Sequence, residues 1–264
     1  MSDLTVTIVQ SELAWEDPAA NLKRFDQSLA NLGGKTDLVI LPEMFSTGFS
    51  MQPAPVAQTM DSATVRWLQS TAAALEAHLM GSVMIVEDGR YYNRFMSAGP
   101  DGKLQTCDKR HLFRMLGEDN IYTGGQRLLT VTIKGWKLRP FICYDLRFPA
   151  WSRNLNNDYD VAVYVANWPA KRAEHWKALL KARAIENLCY VIGVNRVGAD
   201  GNGLEYCGDS AVIDPVGNTL FTIHNEPAVR TVTLSREILE IWRRDFPVWL
   251  DADHDVLDLP DPIA

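Results

Sequence analysis

The sequence lacks the features that would place the protein in a membrane, on a nucleic acid or outside the cell. No stretch of the 264 residues approaches the ~18 consecutive apolar residues of a membrane-spanning helix, so no membrane association is expected. Lysine and arginine number 26 against 33 aspartates and glutamates, and the formal net charge of −7 argues against a nucleic-acid partner, which requires clustered cations. The first residues, Met1 to Val6, contain neither the basic nor the apolar region of a signal peptide, so a cytoplasmic protein is expected.

Cysteine is scarce, and its spacing does not match the common zinc motifs. The 4 cysteines are Cys107, Cys143, Cys189 and Cys207. They form no C-x-x-C pair and have no H-x-x-x-H partner, so we predict no metal and no other cofactor. In a reducing compartment all four are expected to be free thiols. A glycine-rich stretch near residue 201 has Tyr206 where a G-x-G-x-x-G motif needs its third glycine, which favours a hairpin loop over a nucleotide site.

The pattern of apolar residues predicts one domain of alternating strands and helices. No linker, charge block or low-complexity tract divides residues 1–264, and an irregular tail is expected from about residue 247. Strand-like runs such as Thr5–Gln10 and Leu38–Leu41 alternate with amphipathic stretches. Helices are predicted at 19–32, 63–78, 150–156 and 172–188. Asp-Gly pairs between β-rich runs predict hairpins, so the chain should form mixed sheets covered by helices.

Three chemically reactive residues follow three of the β-rich runs. Glu43 follows the run at Leu38–Leu41, Lys109 ends a run that begins near Leu104, and Cys143 ends the run before Tyr144. Strand ends at one edge of a sheet converge, and a thiol, a carboxylate and an ammonium together can cleave an amide without a metal. The alternative for an isolated cysteine is a small apolar residue of the core. A helix N-terminus is also expected after Cys143, and its dipole would favour a thiolate.

The residues around these three positions resemble three motifs of the nitrilase superfamily of carbon–nitrogen hydrolases, in the order that the family has them. The matching segments are Leu41-Pro42-Glu43, Asp108-Lys109-Arg110-His111-Leu112-Phe113 and Ile142-Cys143-Tyr144-Asp145-Leu146-Arg147-Phe148-Pro149. The resemblance spans nearly the whole chain. It implies an α/β fold, a four-layer α-β-β-α sandwich with two mixed sheets covered by helices, and it implies a homodimer.

The resemblance also implies a role for each catalytic residue. Cys143 would be the nucleophile, Glu43 the general base and then the general acid, and Lys109 the oxyanion donor together with the backbone N–H of Tyr144. Glu118 resembles the second active-site glutamate of the family and would orient Lys109. The alternative for Glu118 is a solvated acid in a loop.

Further sequence segments indicate one branch of that superfamily. Enzymes that act on nitriles typically carry Cys-Trp-Glu at the nucleophile, whereas this chain has Cys143-Tyr144-Asp145, which indicates amides. The segments at 109–115, 166–176 and 182–187 resemble the ω-amidase branch, which hydrolyses the terminal amide of 2-oxo dicarboxylate monoamides such as 2-oxoglutaramate and 2-oxosuccinamate. A small-molecule amide and water are the expected partners. Ala150 departs from the glutamate that many relatives have there. Two alternatives remain open: an amidase for N-carbamoyl compounds and a catalytically silent module of the same fold.

An ω-amide substrate carries a distant carboxylate, so its pocket needs a cation besides Lys109. The candidates are Arg114, Arg147 and Arg172. Arg147 is interpreted mainly as a structural ion pair, and Arg172 is the preferred ligand for the carboxylate. Trp168 is expected either to form a wall for the substrate or to pack under its loop.

Overall fold

The computed structural model describes residues 2–253 and 262–263, and these form two sheets and four α-helices. The strands are β1 (Leu4–Gln10), β2 (Leu38–Ile40), β3 (His78–Glu87), β4 (Arg90–Ala98), β5 (Leu104–Asp108), β6 (Val131–Ile133), β7 (Trp136–Ile142), β8 (Val161–Ala166), β9 (Tyr190–Asn195), β10 (Val197–Ala199), β11 (Glu205–Ile213), β12 (Thr219–His224) and β13 (Ala228–Leu234). The helices are α1 (Pro18–Leu29), α2 (Ala63–Leu75), α3 (Ala173–Asn187) and α4 (Arg236–Asp245).

Both sheets are mixed, with a parallel centre and antiparallel edges. The first sheet has the strand order β13-β1-β2-β3-β4-β5, and the second has β10-β11-β9-β8-β7-β6 with β12 also paired to β11. β1, β2 and β3 run parallel, as do β7, β8 and β9. The crossovers α1, α2 and α3 connect parallel neighbours, whereas the Asp88-Gly89 turn joins β3 to β4 as an antiparallel hairpin. Both turn residues have positive φ, as the sequence predicted for an Asp-Gly hairpin.

The central strands are buried on both faces, which produces four layers. Val6 and Ile8 of β1 belong to the core between the sheets, together with Val163 of β8. Val39 of β2 belongs to a second core that includes residues of α1 and α2, because successive side chains of a strand point to opposite faces. Residues of β8 and β9 form a third core with Trp176 and other residues of α3. The layers are therefore helix, sheet, sheet, helix, and the predicted fold class is confirmed.

Several element boundaries differ from the sequence prediction. α2 ends at Leu75 because Glu76 adopts the left-handed conformation, with φ of 53°. The helix predicted at 150–156 is wrong: this region holds a short 3-10 turn at Leu155–Asn157, where Asn156 has positive φ. β12, β13 and α4 were not predicted.

The predicted tail lies partly outside the described residues, namely at 254–261 and 264. Its start is more regular than expected, since Val248–Asp251 forms a 3-10 turn. Ile263 makes a β-bridge with Leu129. In the described part of the chain, no helix combines the length and the apolar character needed to span a membrane.

Candidate active site

The predicted reactive residues lie at strand ends that converge from both sheets. Glu43 follows β2 of the first sheet, Lys109 follows β5 of the same sheet, and Cys143 follows β7 of the second. Asn167, directly after β8, bridges the sheets: its backbone N–H donates to Glu43 Oε2 at 2.7 Å. Ligands of open α/β sheets bind beyond the carboxyl ends of parallel strands, and these residues occupy that edge.

Cys143 sits in a strained turn. Its φ is +44°, a left-handed conformation that costs a residue other than glycine about 1–3 kcal/mol and that clusters at functional sites. The 3-10 turn Cys143–Arg147 begins there, so the α-helix N-terminus expected after Cys143 is replaced by a turn of 5 residues. Asp145 holds this turn, because its Oδ2 accepts from the backbone N–H of Ile142 at 3.0 Å. The backbone thus fixes where the thiol points.

Lys109 is almost fully buried between two carboxylates. Its Nζ lies 3.2 Å from Glu43 Oε1 and 2.9 Å from Glu118 Oε1. Burial opposes the charge of Lys109, but Glu118 and Glu43 outweigh it and raise the pKa of the ammonium above its ordinary value. Lys109 therefore stays a cation, and the three side chains carry one net negative charge when both carboxylates are ionised.

Glu118 is completely buried, so it is not a solvated loop acid. It lies in a 3-10 turn, Glu118–Asn120, and its Oε2 accepts from the backbone N–H of Phe113 and from Lys109 Nζ. Burial raises the pKa of Glu118 most, and Lys109 offsets part of that effect. Glu118 therefore contacts Lys109 directly with both carboxylate oxygens.

The backbone around Lys109 is fixed from two sides. Its N–H donates to the carbonyl of Asn93 at 2.9 Å, and its carbonyl accepts from the N–H of Gly125 at 2.8 Å. A Cβ at Gly125 would lie only 2.2 Å from the carbonyl oxygen of Asp108, so this close approach requires glycine.

Two asparagines that were given no role in the sequence analysis hold Glu43. Asn93 Nδ2 donates to Glu43 Oε1 at 2.7 Å, and Asn167 Nδ2 donates to the backbone carbonyl of Glu43 at 2.7 Å. Asn93 lies inside β4, where asparagine is unfavourable, but β4 also contains Arg90, Arg94 and Ser97, so Asn93 did not stand out in the sequence. Glu43 thus has both carboxylate oxygens engaged before any substrate enters.

A third residue without an assigned role, Asp145, connects the lysine segment to the cysteine turn. Its Oδ1 accepts from the backbone N–H of His111 at 2.9 Å and lies 2.8 Å from His111 Nδ1. The ring of His111 stacks on Phe148 with centroids 3.8 Å apart. His111 is therefore part of the support between the two motifs.

The thiol of Cys143 is held in its protonated form at neutral pH. Burial raises its pKa well above the ordinary value, the Glu43 carboxylate raises it further, and Lys109 opposes that shift only in part. Cys143 Sγ lies 3.9 Å from the carbonyl oxygen of Asn167. A nucleophilic sulfur must therefore be generated by transfer of the thiol proton to a base.

These residues face a cavity of about 470 Å³, part of which is open solvent. It is lined by Glu43, Phe49, Lys109, Phe113, Leu116, Cys143, Tyr144, Arg147, Asn167, Trp168, Pro169, Arg172, Leu204 and Tyr206. The Tyr144 ring meets Phe113 edge to face at 5.0 Å. Trp168 is almost completely buried, and its Nε1 donates to the carbonyl of Arg172 at 2.8 Å, so it both lines the cavity and supports the loop.

Two of the three candidate arginines line this cavity, and one does not. No carboxylate of the described residues pairs with Arg147, which corrects its interpretation as a structural ion pair; instead its guanidinium lies 4.7 Å from the Trp168 ring centroid. Arg172 lies 5.4 Å from the ring of Phe113. Arg114 points to solvent from a 3-10 turn, with 86% of its side chain exposed, and pairs with Asp119 at 3.4 Å. The structure therefore gives no support to Arg114 as a substrate ligand.

A sandwich of two mixed sheets with a thiol, a carboxylate and an ammonium around one cavity defines a class of protein, the hydrolases that act through a cysteine. The sequence also matches the carbon–nitrogen hydrolase family over residues 5–244. The chain belongs to the carbon–nitrogen hydrolase family, and the resemblance found from its motifs is confirmed.

Individual relatives match over nearly the whole chain. The omega-amidase YafV of Escherichia coli strain K12 is 47% identical over 254 residues, which cover 96% of this chain and 98% of that protein. A 2-oxoglutaramate amidase of Bacillus subtilis strain 168 is 29% identical over 256 residues, with 96% and 98% covered. The crystal structure of XC1258 from Xanthomonas campestris, with an arsenic adduct in its active site, has a TM-score of 0.95 and 47% identity, with 97% of this chain and 100% of that chain covered.

Proposed function

We propose that the protein is an ω-amidase that hydrolyses the terminal amide of 2-oxo dicarboxylate monoamides, such as 2-oxoglutaramate and 2-oxosuccinamate, to the 2-oxo acid and ammonia. The observation that carries this proposal is one cavity that holds Cys143 beside Glu43 and Lys109 and also holds Arg147 and Arg172. Cys143, Glu43 and Lys109 suit amide cleavage, and the two arginines suit a substrate with a carboxylate. The similarity to the omega-amidase YafV supports the same conclusion.

The first half of the reaction is acylation of the cysteine. Glu43 accepts the thiol proton of Cys143 while the sulfur attacks the amide carbon and forms the C–S bond. The oxyanion that results is stabilised by Lys109 Nζ and by the backbone N–H of Tyr144. Glu43 then returns the proton to the amide nitrogen, the C–N bond breaks, ammonia leaves, and a thioester remains on Cys143.

The second half is hydrolysis of that thioester. Glu43 takes a proton from water, the hydroxyl attacks the thioester carbon, and the second tetrahedral intermediate collapses to the 2-oxo acid. The proton on Glu43 returns to the sulfur of Cys143, so the enzyme is regenerated. The hydrogen bonds from Asn93 and Asn167 keep Glu43 in place through both halves.

Lys109 matters because its charge is retained in a buried site. A cation about 4 Å from a developing oxyanion contributes about 4 kcal/mol at an effective dielectric constant of 20. Glu118 holds Lys109 by two oxygens, at 2.9 and 3.1 Å, and its negative charge prevents loss of the lysine proton. Glu118 is proposed to orient Lys109 and to contribute to substrate placement.

Arg147 and Arg172 are proposed to bind the carboxylate of the substrate. Burial lowers the pKa of Arg147, and the nearby positive charge of Arg172 lowers it further. An anion placed between two such cations relieves their repulsion and accepts charge-assisted hydrogen bonds. The guanidinium groups of Arg147 and Arg172 lie over the rings of Trp168 and Phe113, at 4.7 and 5.4 Å from the ring centroids.

The remaining predictions from the sequence enter this proposal unchanged. Residues 1–264 are proposed to be one carbon–nitrogen hydrolase domain, cytoplasmic and assembled as a homodimer. A sedimentation experiment that gave only a ~30 kDa species at working concentration would contradict the dimer.

Ammonia release from purified protein tests the proposed activity. We expect rapid release from 2-oxoglutaramate and none from the Cys143→Ala variant. Fast turnover of an N-carbamoyl acid with 2-oxoglutaramate left intact would favour the other amidase reaction. A folded wild-type protein that releases ammonia from neither substrate would support the catalytically silent module.

A further inference from the structure

A second cluster of reactive side chains lies outside the cavity, where β11 pairs with β12. In the part of the chain that the structure describes, Cys207, Asp209 and His224 form one group whose possible metal-ligating atoms all lie within 4.8 Å of one another. Cys207 and Asp209 come from β11, and His224 is the last residue of β12. The mechanism proposed above uses none of these three residues.

A β-bulge brings the three side chains together. Gly208 pairs with His224, but the next pair is Ser210 with Ile223, so Asp209 is an extra residue on β11. Gly208 and Asp209 both have positive φ, at 70° and 55°. A bulge of this kind redirects a side chain, and here it places the Asp209 carboxylate between the thiol and the imidazole.

The bulge is held rigidly by side chains from other elements. Trp176 Nε1 donates to the carbonyl of Asp209 at 2.8 Å, and Asn195 Nδ2 donates to the carbonyl of Gly208 at 2.7 Å. The N–H of Ser210 donates to Gln10 Oε1 at 3.1 Å. A metal site needs ligands on a fixed support, and these hydrogen bonds from α3, β9 and β1 provide one.

One distance between the ligand atoms matches a shared zinc ion, and the other is a hydrogen bond that has to lengthen. Cys207 Sγ lies 3.4 Å from Asp209 Oδ2, and Asp209 Oδ1 lies 2.6 Å from His224 Nδ1. A sulfur at about 2.3 Å and an oxygen at about 2.0 Å from one tetrahedral zinc ion lie roughly 3.5 Å apart. Only the imidazole would need to move outward, and 69% of the His224 side chain is exposed, so it is free to do so.

The charges also suit a divalent cation. A Cys207 thiolate and the Asp209 carboxylate carry two negative charges, and neutral His224 adds none. Metal binding releases the thiol proton of Cys207 to solvent. Lys177 is the nearby cation that acts on Cys207 and Asp209, and its ammonium is already paired with Glu174.

We propose that Cys207, Asp209 and His224 bind a zinc ion, with water in the fourth position. Zinc binds cysteine sulfur, histidine nitrogen and carboxylate oxygen in tetrahedral geometry, and this group offers one of each. The sequence did not reveal the site because the bulge and the pairing of two strands create it, and no short spacing motif is present. The site is separate from the proposed amidase chemistry.

The test is zinc binding to the full chain carrying Cys143→Ala, which keeps the active-site thiol from competing for the metal. After metal is removed with a chelator, the protein is titrated with Zn²⁺ in the presence of a chromogenic competitor. We expect one ion per chain. His224→Ala and Cys207→Ser should each weaken zinc binding at least about 100-fold. Removal of an outer-shell partner weakens metal binding by up to about 100-fold, and removal of a ligand should cost at least as much. Cys107→Ser, a cysteine outside the cluster, is the matched control and should bind as before.

Cobalt provides an independent readout of the cysteine ligand. Co²⁺ bound at the site should show thiolate-to-cobalt absorption in the near ultraviolet, and Cys207→Ser should abolish it. His224 is exposed, so His224→Ala is expected to fold normally even if Cys207→Ser does not. Absence of stoichiometric binding, or binding that His224→Ala leaves unchanged, overturns the proposal and leaves a hydrogen-bonded cluster without a metal.

Discussion

Arg147→Met is the substitution that most directly tests how the cavity selects its substrate. Methionine retains much of the side-chain volume and can still pack on Trp168, where the guanidinium now lies 4.7 Å from the ring centroid, but it removes the charge. A hydrogen bond to a charged group contributes about 1.5–3 kcal/mol. This corresponds to a fall in kcat/KM of about 10- to 150-fold for 2-oxoglutaramate. Because Arg172 remains in the cavity, the lower half of this range is expected.

The assay compares two substrates and two arginine variants. A primary amide of the same length without the carboxylate should lose little activity in Arg147→Met, since the contact of Arg147 with His175 Nδ1, at 3.1 Å, is lost for both substrates alike. Arg114→Met removes the same charge from outside the cavity and should leave both rates unchanged within about twofold, as a screened surface charge does. Equal losses for the acidic and neutral substrates, or equal effects of the two variants, would refute the assignment of Arg147.

Three further predictions concern the catalytic residues and their supports. Glu43→Gln should reduce ammonia release by about 10²–10⁴-fold, the usual contribution of general acid–base catalysis, while circular dichroism shows a folded protein. The pH at which Cys143 reacts half-maximally with iodoacetamide should lie above that of an ordinary thiol. This pH should fall in Glu43→Gln, because the carboxylate disfavours the thiolate. It should rise in Lys109→Met, because the ammonium favours the thiolate. Opposite shifts would mean that the electrostatic description of the thiol is wrong. Asp145→Ala should lower the free energy of unfolding in urea by about 2–4 kcal/mol, since the N–H groups of Ile142 and His111 lose their acceptor, and an unchanged midpoint would argue against that supporting role.

The sequence predicted the architecture well where local pattern and tertiary structure agree. The run at Leu38–Leu41 is apolar throughout because β2 is buried on both faces, and the Asp88-Gly89 pair forms the expected turn. The helix predicted at 150–156 failed for a local reason. Asn156 and Asn157 both adopt positive φ, at 55° each, and this left-handed conformation does not continue a right-handed helix.

Features of the site that depend on long-range packing were beyond sequence reasoning. The contact between Asn167 and Glu43 joins residues 124 positions apart and exists only because the two sheets face each other. Whether Arg147 pairs with a carboxylate or faces the cavity likewise depends on which side chains pack around it. Glu43, Lys109 and Cys143 were proposed from the sequence because each follows a β-rich run and because the segments around them resemble three motifs of the family, whereas Asn93 was hidden inside a strand.

The central claim is that Cys143 carries the acyl group of the substrate, and one measurement tests it directly. Wild-type protein mixed with 2-oxoglutaramate is quenched in acid within the first turnovers, and its mass is determined intact and after digestion. We predict an added mass equal to that of the substrate less ammonia, located on the peptide that contains Cys143 and missing in Cys143→Ala. An adduct on another residue, or ammonia release that persists in Cys143→Ala, would contradict the mechanism.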